Sequence, residues 1–144
     1  GERGGGDGQF KTCHGVSLDT RFEKPLLLIA DRENRRLQHF DLDGNFVKVV
    51  TTGLRRPCSM SIRGDYVAIA ELEARVTIID KEGKQVSHPG DNPDKKQWAN
   101  NGVPPDQWKD GAFTAPHGVS YDHEGNLIVM DWNRHGRITK LLDK

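Results

Sequence analysis

The chain has 144 residues, of which 34% are hydrophobic and 29% are charged, and it contains 16 glycines and 7 prolines, a composition typical of a turn-rich β protein. Lysine plus arginine and aspartate plus glutamate number 21 each, so there is no overall positive charge with which to bind nucleic acid or an anionic membrane, and we expect neither partner. No apolar run approaches the ~18 residues that a membrane-spanning helix needs.

The first 52 residues predict a unit of short strands that follows a glycine-rich segment. Val16 and Leu18 alternate with polar residues, LLLIA follows at 26–30, and RLQHF at 36–40 precedes an Asp-Gly turn at 43–44. Alternating apolar residues bounded by turn residues are typical of strands that form hairpins. We therefore expect a series of antiparallel strands across 11–52.

Two later units repeat this pattern. Residues 53–91 contain YVAIA, VTIID and a Glu-Gly turn at 82–83, and residues 113–144 contain NLIVM and RITKLL. Two sets of positions are equivalent in the three units: His14, Cys58 and His117, and then Asp31, Glu71 and Asp131. No segment sustains the 3.6-residue apolar period of a helix. Short antiparallel strands that recur every ~40–45 residues are the signature of propeller blades.

The connection between the second and third units, at 90–115, is unusually long. Its length exceeds the ~12–15 residues beyond which structureless loops become uncommon and are often functional. It carries Trp98 and Trp108, whose apolar rings need a surface to cover. We expect this loop to cross the face that bears His14 and His117, either as a partial lid or with both tryptophans holding it against the blade sides.

The stretches HGVSLD, LLLIADRENRRLQHFDLDGNFV and PHGVSYDHEGNLIVMDWNRHGRITKL resemble NHL repeats, which build six-bladed β-propellers. GGGDGQF at 4–10 is similar to the segment that links successive blades in that family. The resemblance implies an all-β fold of four-stranded antiparallel blades, of which about three are present. The remaining blades would come from the same full-length chain or from a second copy. A secreted or periplasmic location is expected from the resemblance alone.

The expected organisation is therefore one partial propeller over 1–144. It comprises an inter-blade segment at 1–10, blades at 11–52 and 53–91, an inserted loop at 92–112, and a third blade at 113–144 whose completeness is left open.

Within this family, ADRENRRLQHF at 30–40, together with the upstream His14, is also similar to the peptidyl-α-hydroxyglycine α-amidating lyase domain. That resemblance implies a zinc ion in the central channel, with His14 and His117 matching two ligand positions on alternate blades. It also matches Arg32 to an active-site arginine. The third ligand and the catalytic tyrosine of that family would lie on blades outside this chain. Zinc is the implied cofactor, and calcium is left open as a second cation.

Strand topology independently predicts that the candidate site residues meet. In a four-stranded antiparallel blade the first strand begins, and the second ends, at the same edge of the sheet. His14, Asp31 and Arg32 should therefore share one mouth of the channel, where Asp131 should accompany His117.

Each candidate residue has a structural alternative. The two histidines either bind a metal or are hydrogen-bonded channel residues. Cys58 has three alternatives: it joins the histidines as a thiolate ligand, it is a small buried residue, or it forms a disulfide with Cys13. Arg32 binds a substrate carboxylate or forms a salt bridge with a neighbour. The strand-end acids are general bases or cap tight turns through their side chains. The other histidines are expected to be solvated: His39, His88, His123 and His135.

Two functions follow from these expectations. The first is an NHL-type propeller segment that acts as a binding scaffold for a peptide, a protein or a small molecule, with a metal site at the channel mouth. The alternative is a zinc-dependent lyase, similar to the amidating family, that cleaves a C–N bond to give a peptide amide and glyoxylate.

Overall fold

The computed structural model describes residues 1–143, which form three antiparallel sheets that we call blades 1, 2 and 3. Blade 1 contains β1 Cys13–Asp19, β2 Leu26–Asp31, β3 Arg36–Phe40 and β4 Phe46–Thr51. Blade 2 contains β5 Pro57–Arg63, β6 Tyr66–Glu71, β7 Arg75–Ile79 and β8 Gln85–Ser87. Blade 3 contains β9 Pro116–Tyr121, β10 Leu127–Asp131 and β11 Arg137–Leu141. The all-β expectation is confirmed, and within these residues no helix is long and apolar enough to cross a bilayer.

Every sheet is a meander in which each strand pairs with the next along the chain. The tight turns at Gly44 and Gly83, each with a φ of +88°, connect the third strand of a blade to its fourth. This left-handed backbone conformation is favourable for glycine and strained for other residues, which explains why the sequence places glycine there.

The blades pack face to face and bury apolar clusters at their interfaces. The cluster between blades 1 and 2 contains Leu28, Ala30, Leu37, Val50, Leu54, Met60, Val67, Ile69 and Ile79. The cluster between blades 2 and 3 contains Ala68, Val76, Phe113, Leu127 and Val129. The first strands of the blades are neighbours, with β5 between β1 and β9. The beginnings of these three strands therefore meet at one edge of the assembly.

Each blade has a buried acid–arginine pair where its second strand turns into its third, and we call these pairs the clasps. They join Asp31 to Arg36 at 2.8 Å, Glu71 to Arg75 at 3.0 Å, and Asp131 to Arg137 at 3.8 Å. Each carboxylate also accepts a backbone N–H from the segment that enters its blade, donated by Lys11, Arg55 and Thr114 respectively. The clasps thus fasten each incoming connection to its blade.

In blade 1 the clasp also holds the N-terminal segment 1–10. Arg36 donates hydrogen bonds to the backbone carbonyls of Gly5, Gly6 and Gln9. The ring of Phe10 stacks on that of Phe40 with centroids 5.4 Å apart. The segment therefore covers the face of β3 that carries the side chains of Arg36, Gln38 and Phe40.

The expectation that His39 is solvated is wrong. Its side chain is fully buried, with Nε2 2.9 Å from Oδ2 of Asp19 and the ring edge-on to Phe22. All five residues of β3 are buried, because the N-terminal segment covers one face of the strand and blade 1 packs against blade 2 on the other. The other three histidines that were expected to be solvated are exposed: His88, His123 and His135.

We expect acid to destabilise the protein through Asp19. Burial favours a raised pKa for this carboxyl group, but hydrogen bonds from Arg21 and His39 outweigh it and hold the pKa far below its ordinary value. A carboxylate with a depressed native pKa stabilises the fold fully above its unfolded pKa of about 3.9, and this stabilisation is lost as the pH falls towards the native value.

The free energy of unfolding, measured by urea titration, should therefore fall steeply below about pH 4 in the wild type and less steeply in Asp19→Asn. Asp106→Asn, at an exposed loop position, is the matched control and should keep the wild-type slope. Equal slopes in the wild type and Asp19→Asn would contradict this assignment.

Candidate functional site

Three potential metal ligands meet where the inner strands begin. His14 lies in β1, Cys58 in β5 and His117 in β9, and one ligand atom from each lies within 4.8 Å of the other two. The two imidazole rings are edge-on, with centroids 4.8 Å apart. His14 is exposed, His117 is half-buried and Cys58 is buried. We call these residues the His–Cys–His cluster.

The close approach of β1 to β5 depends on Gly15. A Cβ atom at this position would lie 2.2 Å from the carbonyl oxygen of Cys58, so a larger residue would push the strands apart. Nδ1 of His14 is 3.0 Å from the same carbonyl oxygen. Because a carbonyl oxygen only accepts hydrogen bonds, Nδ1 is the donor and the lone pair of the neutral ring is on Nε2.

The surroundings set the protonation of the cluster. Burial lowers the pKa of His117, and the proximity of the His14 ring and of the positive Arg32 lowers it further, which favours the neutral imidazole that metals bind. Burial raises the pKa of the Cys58 thiol to about 11, although the positive charges of Arg32 and Arg56 oppose the shift. Without a metal, Cys58 is therefore a thiol at neutral pH. Both cysteines are free, so the disulfide alternative is wrong.

Arg32 follows β2 at the same edge of blade 1. Its Nε donates to the carboxylate of Glu33 at 3.0 Å, and Arg56 donates to the same carboxylate at 2.8 Å. Within residues 1–143 the two Nη groups of Arg32 have no hydrogen-bond partner. Arg32 thus forms the salt bridge to a neighbour and still has donors available for a ligand. The sequence did not indicate the Glu33–Arg56 contact, which depends on how blade 1 meets blade 2.

Asp31 and Asp131 are not part of the cluster, because their carboxylates are directed into the clasps. Asp31 bonds to Arg36 and to the backbone N–H of Lys11. Asp131 accepts the backbone N–H of Ala115 at 2.7 Å. Both carboxylates therefore accept hydrogen bonds from the backbone of the connection that enters their blade, which is the capping role rather than that of a general base.

The loop 92–112 lies against the edges of blades 2 and 3. The guanidinium carbon of Arg55 lies over the ring of Trp98, 4.0 Å from its centroid. The guanidinium carbon of Arg137 lies over the ring of Trp108 in the same way, 5.3 Å from its centroid. Between the tryptophans, the backbone N–H of Ala99 bonds to a carbonyl of each blade, those of Leu72 and Thr114. Ala99 also packs against the apolar group that includes Cys58. A lid role for this loop stays a prediction.

Two adjoining surface cavities of about 310 and 280 Å³ lie at the opposite edge of the sheets. They share Ile78, Tyr121, Gly125 and Asp143, which lie far along the strands from the His–Cys–His cluster. The cluster is therefore an open site at the edge of the inner strands β1, β5 and β9 and is not part of either cavity.

Solved structures with the same arrangement of blades identify the fold. A gluconolactonase from Xanthomonas campestris matches 94% of the chain with a TM-score of 0.65 at 12% identity. The nidogen/laminin complex matches 89% with a TM-score of 0.59 at 18% identity, and a streptogramin B lyase matches 92% with a TM-score of 0.52 at 12% identity. The chain is a partial β-propeller. At these identities the likeness shows the fold alone.

The propeller segment spans 46%, 43% and 41% of the lengths of these three solved chains. Protein lin-41 of Caenorhabditis elegans is 43% identical to it over 47 residues, which are 33% of this chain and 4% of that protein. No protein-family model matches the sequence. A partial propeller leaves the outer faces of its first and last blades to be covered by further blades or by partners.

Proposed function

We propose that this chain is part of an NHL-type propeller that binds a ligand at the edge of its inner strands, with a zinc ion held there by His14 and His117. The observation that carries the proposal is the approach of two imidazoles from blades 1 and 3 to a centroid distance of 4.8 Å. The remaining blades come from the same polypeptide or from a second copy, and the ligand is a peptide or a small molecule.

The donor chemistry supports a metal here. A metal-binding histidine usually donates its second ring N–H to a carbonyl or carboxylate, which fixes the ring and directs the other nitrogen at the metal. His14 has this arrangement through the Cys58 carbonyl. Imidazole nitrogen is a ligand that zinc prefers, whereas calcium takes oxygen ligands, so these residues favour zinc over calcium.

Arg32 gives the proposed site a second recognition element. Its Nη groups could bind an anionic group on the ligand, since they have no partner among the described residues and Nε is held by Glu33. When bound, zinc would supply Lewis acidity to a coordinated ligand oxygen.

The position of Arg32 beside the histidine pair favours a second candidate, the zinc-dependent lyase. In that reaction Arg32 would orient the carboxylate of a peptidyl-α-hydroxyglycine, whose C–N bond breaks to give the peptide amide and glyoxylate. The third ligand and the tyrosine that the resemblance to the amidating family implies would have to come from other blades.

The test is zinc binding by the purified chain, measured by metal analysis and by calorimetric titration. We expect about one zinc per chain, and an affinity lowered more than about tenfold in His14→Ala and in His117→Ala. His123→Ala, in the exposed β9–β10 turn, is the matched control and should bind as the wild type does. Absence of zinc binding, or unchanged affinity in both variants, would overturn the proposal.

The two candidates are separated by assaying the protein that contains all of its blades for glyoxylate release from a peptidyl-α-hydroxyglycine. Release that is lost in Arg32→Met would establish the lyase. Zinc binding without glyoxylate release would rule out the lyase and support the binding scaffold.

A further inference from the structure

We infer that Cys58 is a ligand of the same metal, so that three consecutive blades contribute two nitrogens and one sulfur to a single site. This inference rests on the proposed metal site at His14 and His117, and it specifies the third ligand and the class of metal. The cysteine comes from blade 2, which lies between the blades of the two histidines.

The geometry of the cluster carries the inference. The ligand atoms of all three side chains lie within 4.8 Å of one another, and Cys58 lies near the start of β5, the strand between those of the two histidines. Zinc bonds of about 2.0–2.3 Å in a tetrahedral site place neighbouring ligand atoms about 3.3–3.8 Å apart. A contraction of at most about 1–1.5 Å, within reach of side-chain rotations, therefore brings three ligands onto one ion.

Cys58 also controls the orientation of its neighbour. Its backbone carbonyl accepts the hydrogen bond from Nδ1 of His14, so the residue that would offer the sulfur also leaves Nε2 of His14 as the metal-binding nitrogen. The glycine at position 15 allows this contact, because any Cβ there would collide with the Cys58 carbonyl.

The sulfur of Cys58 has few polar contacts that a metal would have to replace. It packs against Leu72 and Ala115, and the thiol donates a hydrogen bond to the carbonyl of Arg56 at 3.6 Å. On coordination the sulfur releases its proton to solvent and donates a lone pair to the metal. Two nitrogens and a thiolate select zinc, cobalt or copper over calcium and magnesium, and three protein ligands leave one position of a tetrahedral ion open.

The test is titration of the purified chain with Co²⁺, which takes the place of zinc and reports its ligands by absorption. We expect visible d–d bands together with a near-ultraviolet sulfur-to-cobalt charge-transfer band in the wild type. Cys58→Ser should lose the charge-transfer band and bind Co²⁺ more than about 100-fold more weakly. This loss is larger than the roughly 10–100-fold drop in metal affinity that is typical when only a residue hydrogen-bonded to a ligand is changed. Cys13→Ser, at the exposed cysteine, is the matched control and should keep both features.

Each outcome decides a different point. Visible bands without a charge-transfer band in the wild type would overturn the role of Cys58 and leave the histidine site intact. No Co²⁺ or zinc binding at all would overturn the proposed function as well. Loss of the charge-transfer band in Cys13→Ser alone would assign the sulfur to Cys13 and contradict the inference.

A second measurement uses only the wild-type protein, in case Cys58→Ser fails to fold. Zinc-edge X-ray absorption of the zinc-loaded chain should show one sulfur scatterer at about 2.3 Å beside nitrogen scatterers at about 2.0 Å. A shell that contains no sulfur would overturn the inference.

Discussion

Arg36→Met should lower the free energy of unfolding by about 3–5 kcal/mol, the range found when one partner of a buried ion pair is removed. The arginine side chain is 8% exposed and the carboxylate of Asp31 is fully buried, so the substitution leaves an uncompensated charge in the interior. It also removes the donors to three backbone carbonyls of the N-terminal segment. We therefore expect that segment to detach from β3.

Urea unfolding measures the first effect, and amide hydrogen exchange across residues 1–10 measures the second. The matched control is the neighbouring residue, because Arg35 forms an ion pair with Glu73 but is 47% exposed. Arg35→Met should cost no more than about 1 kcal/mol. If both substitutions had the same small effect, the clasp would not contribute to stability.

Phe113→Ala should destabilise the chain by about 3–5 kcal/mol, as is typical when a fully buried phenylalanine is truncated. The ring has no solvent exposure and fills the interface between blades 2 and 3, among Ala68, Val76, Leu127 and Val129. Gly90 allows this packing, because a Cβ there would lie 2.1 Å from the ring. The resulting cavity should let blade 3 move relative to blade 2.

This movement gives the substitution a second effect, since it displaces His117 from the inner strands. Zinc affinity should fall in Phe113→Ala although the substituted residue is not in the His–Cys–His cluster. Tyr66→Ala, which truncates a tyrosine that is 50% exposed at the opposite edge of the sheets, is the control and should change stability and affinity little. Wild-type zinc affinity in a destabilised Phe113→Ala would show that the site does not depend on this interface.

The sequence contained enough information to predict the fold, because strand alternation and turn glycines are local signals. The repeated unit predicted blades and placed His14, Cys58 and His117 in equivalent positions. Since equivalent positions of consecutive blades begin neighbouring inner strands, the sequence also predicted the edge at which these residues meet. The distance between them could not be predicted, because it depends on the close backbone approach at Gly15.

The errors have a common origin in burial by distant parts of the chain. The charged pattern at 32–36 is ordinary for an exposed turn, yet Arg36 is buried because residues 1–10 fold over it. His39 lies on the opposite face of the same strand, where blade 1 packs against blade 2 and the side chains of Asp19 and Phe22 enclose its ring. One repeated signal was present and could have revealed the clasps: an arginine follows the strand-end acid by four to six residues in every unit, at Arg36, Arg75 and Arg137.

The three members of the His–Cys–His cluster belong to three different blades, and this has a consequence for the folding of the chain. An ion bound to all three would cross-link positions separated by on the order of 100 residues, and closing so long a loop carries a large entropic cost in the unfolded chain. The ion would bind the folded state in preference to the unfolded one, so the melting temperature would rise with free metal concentration. Metal supply would then regulate how much of the chain is folded as well as what the folded chain can bind.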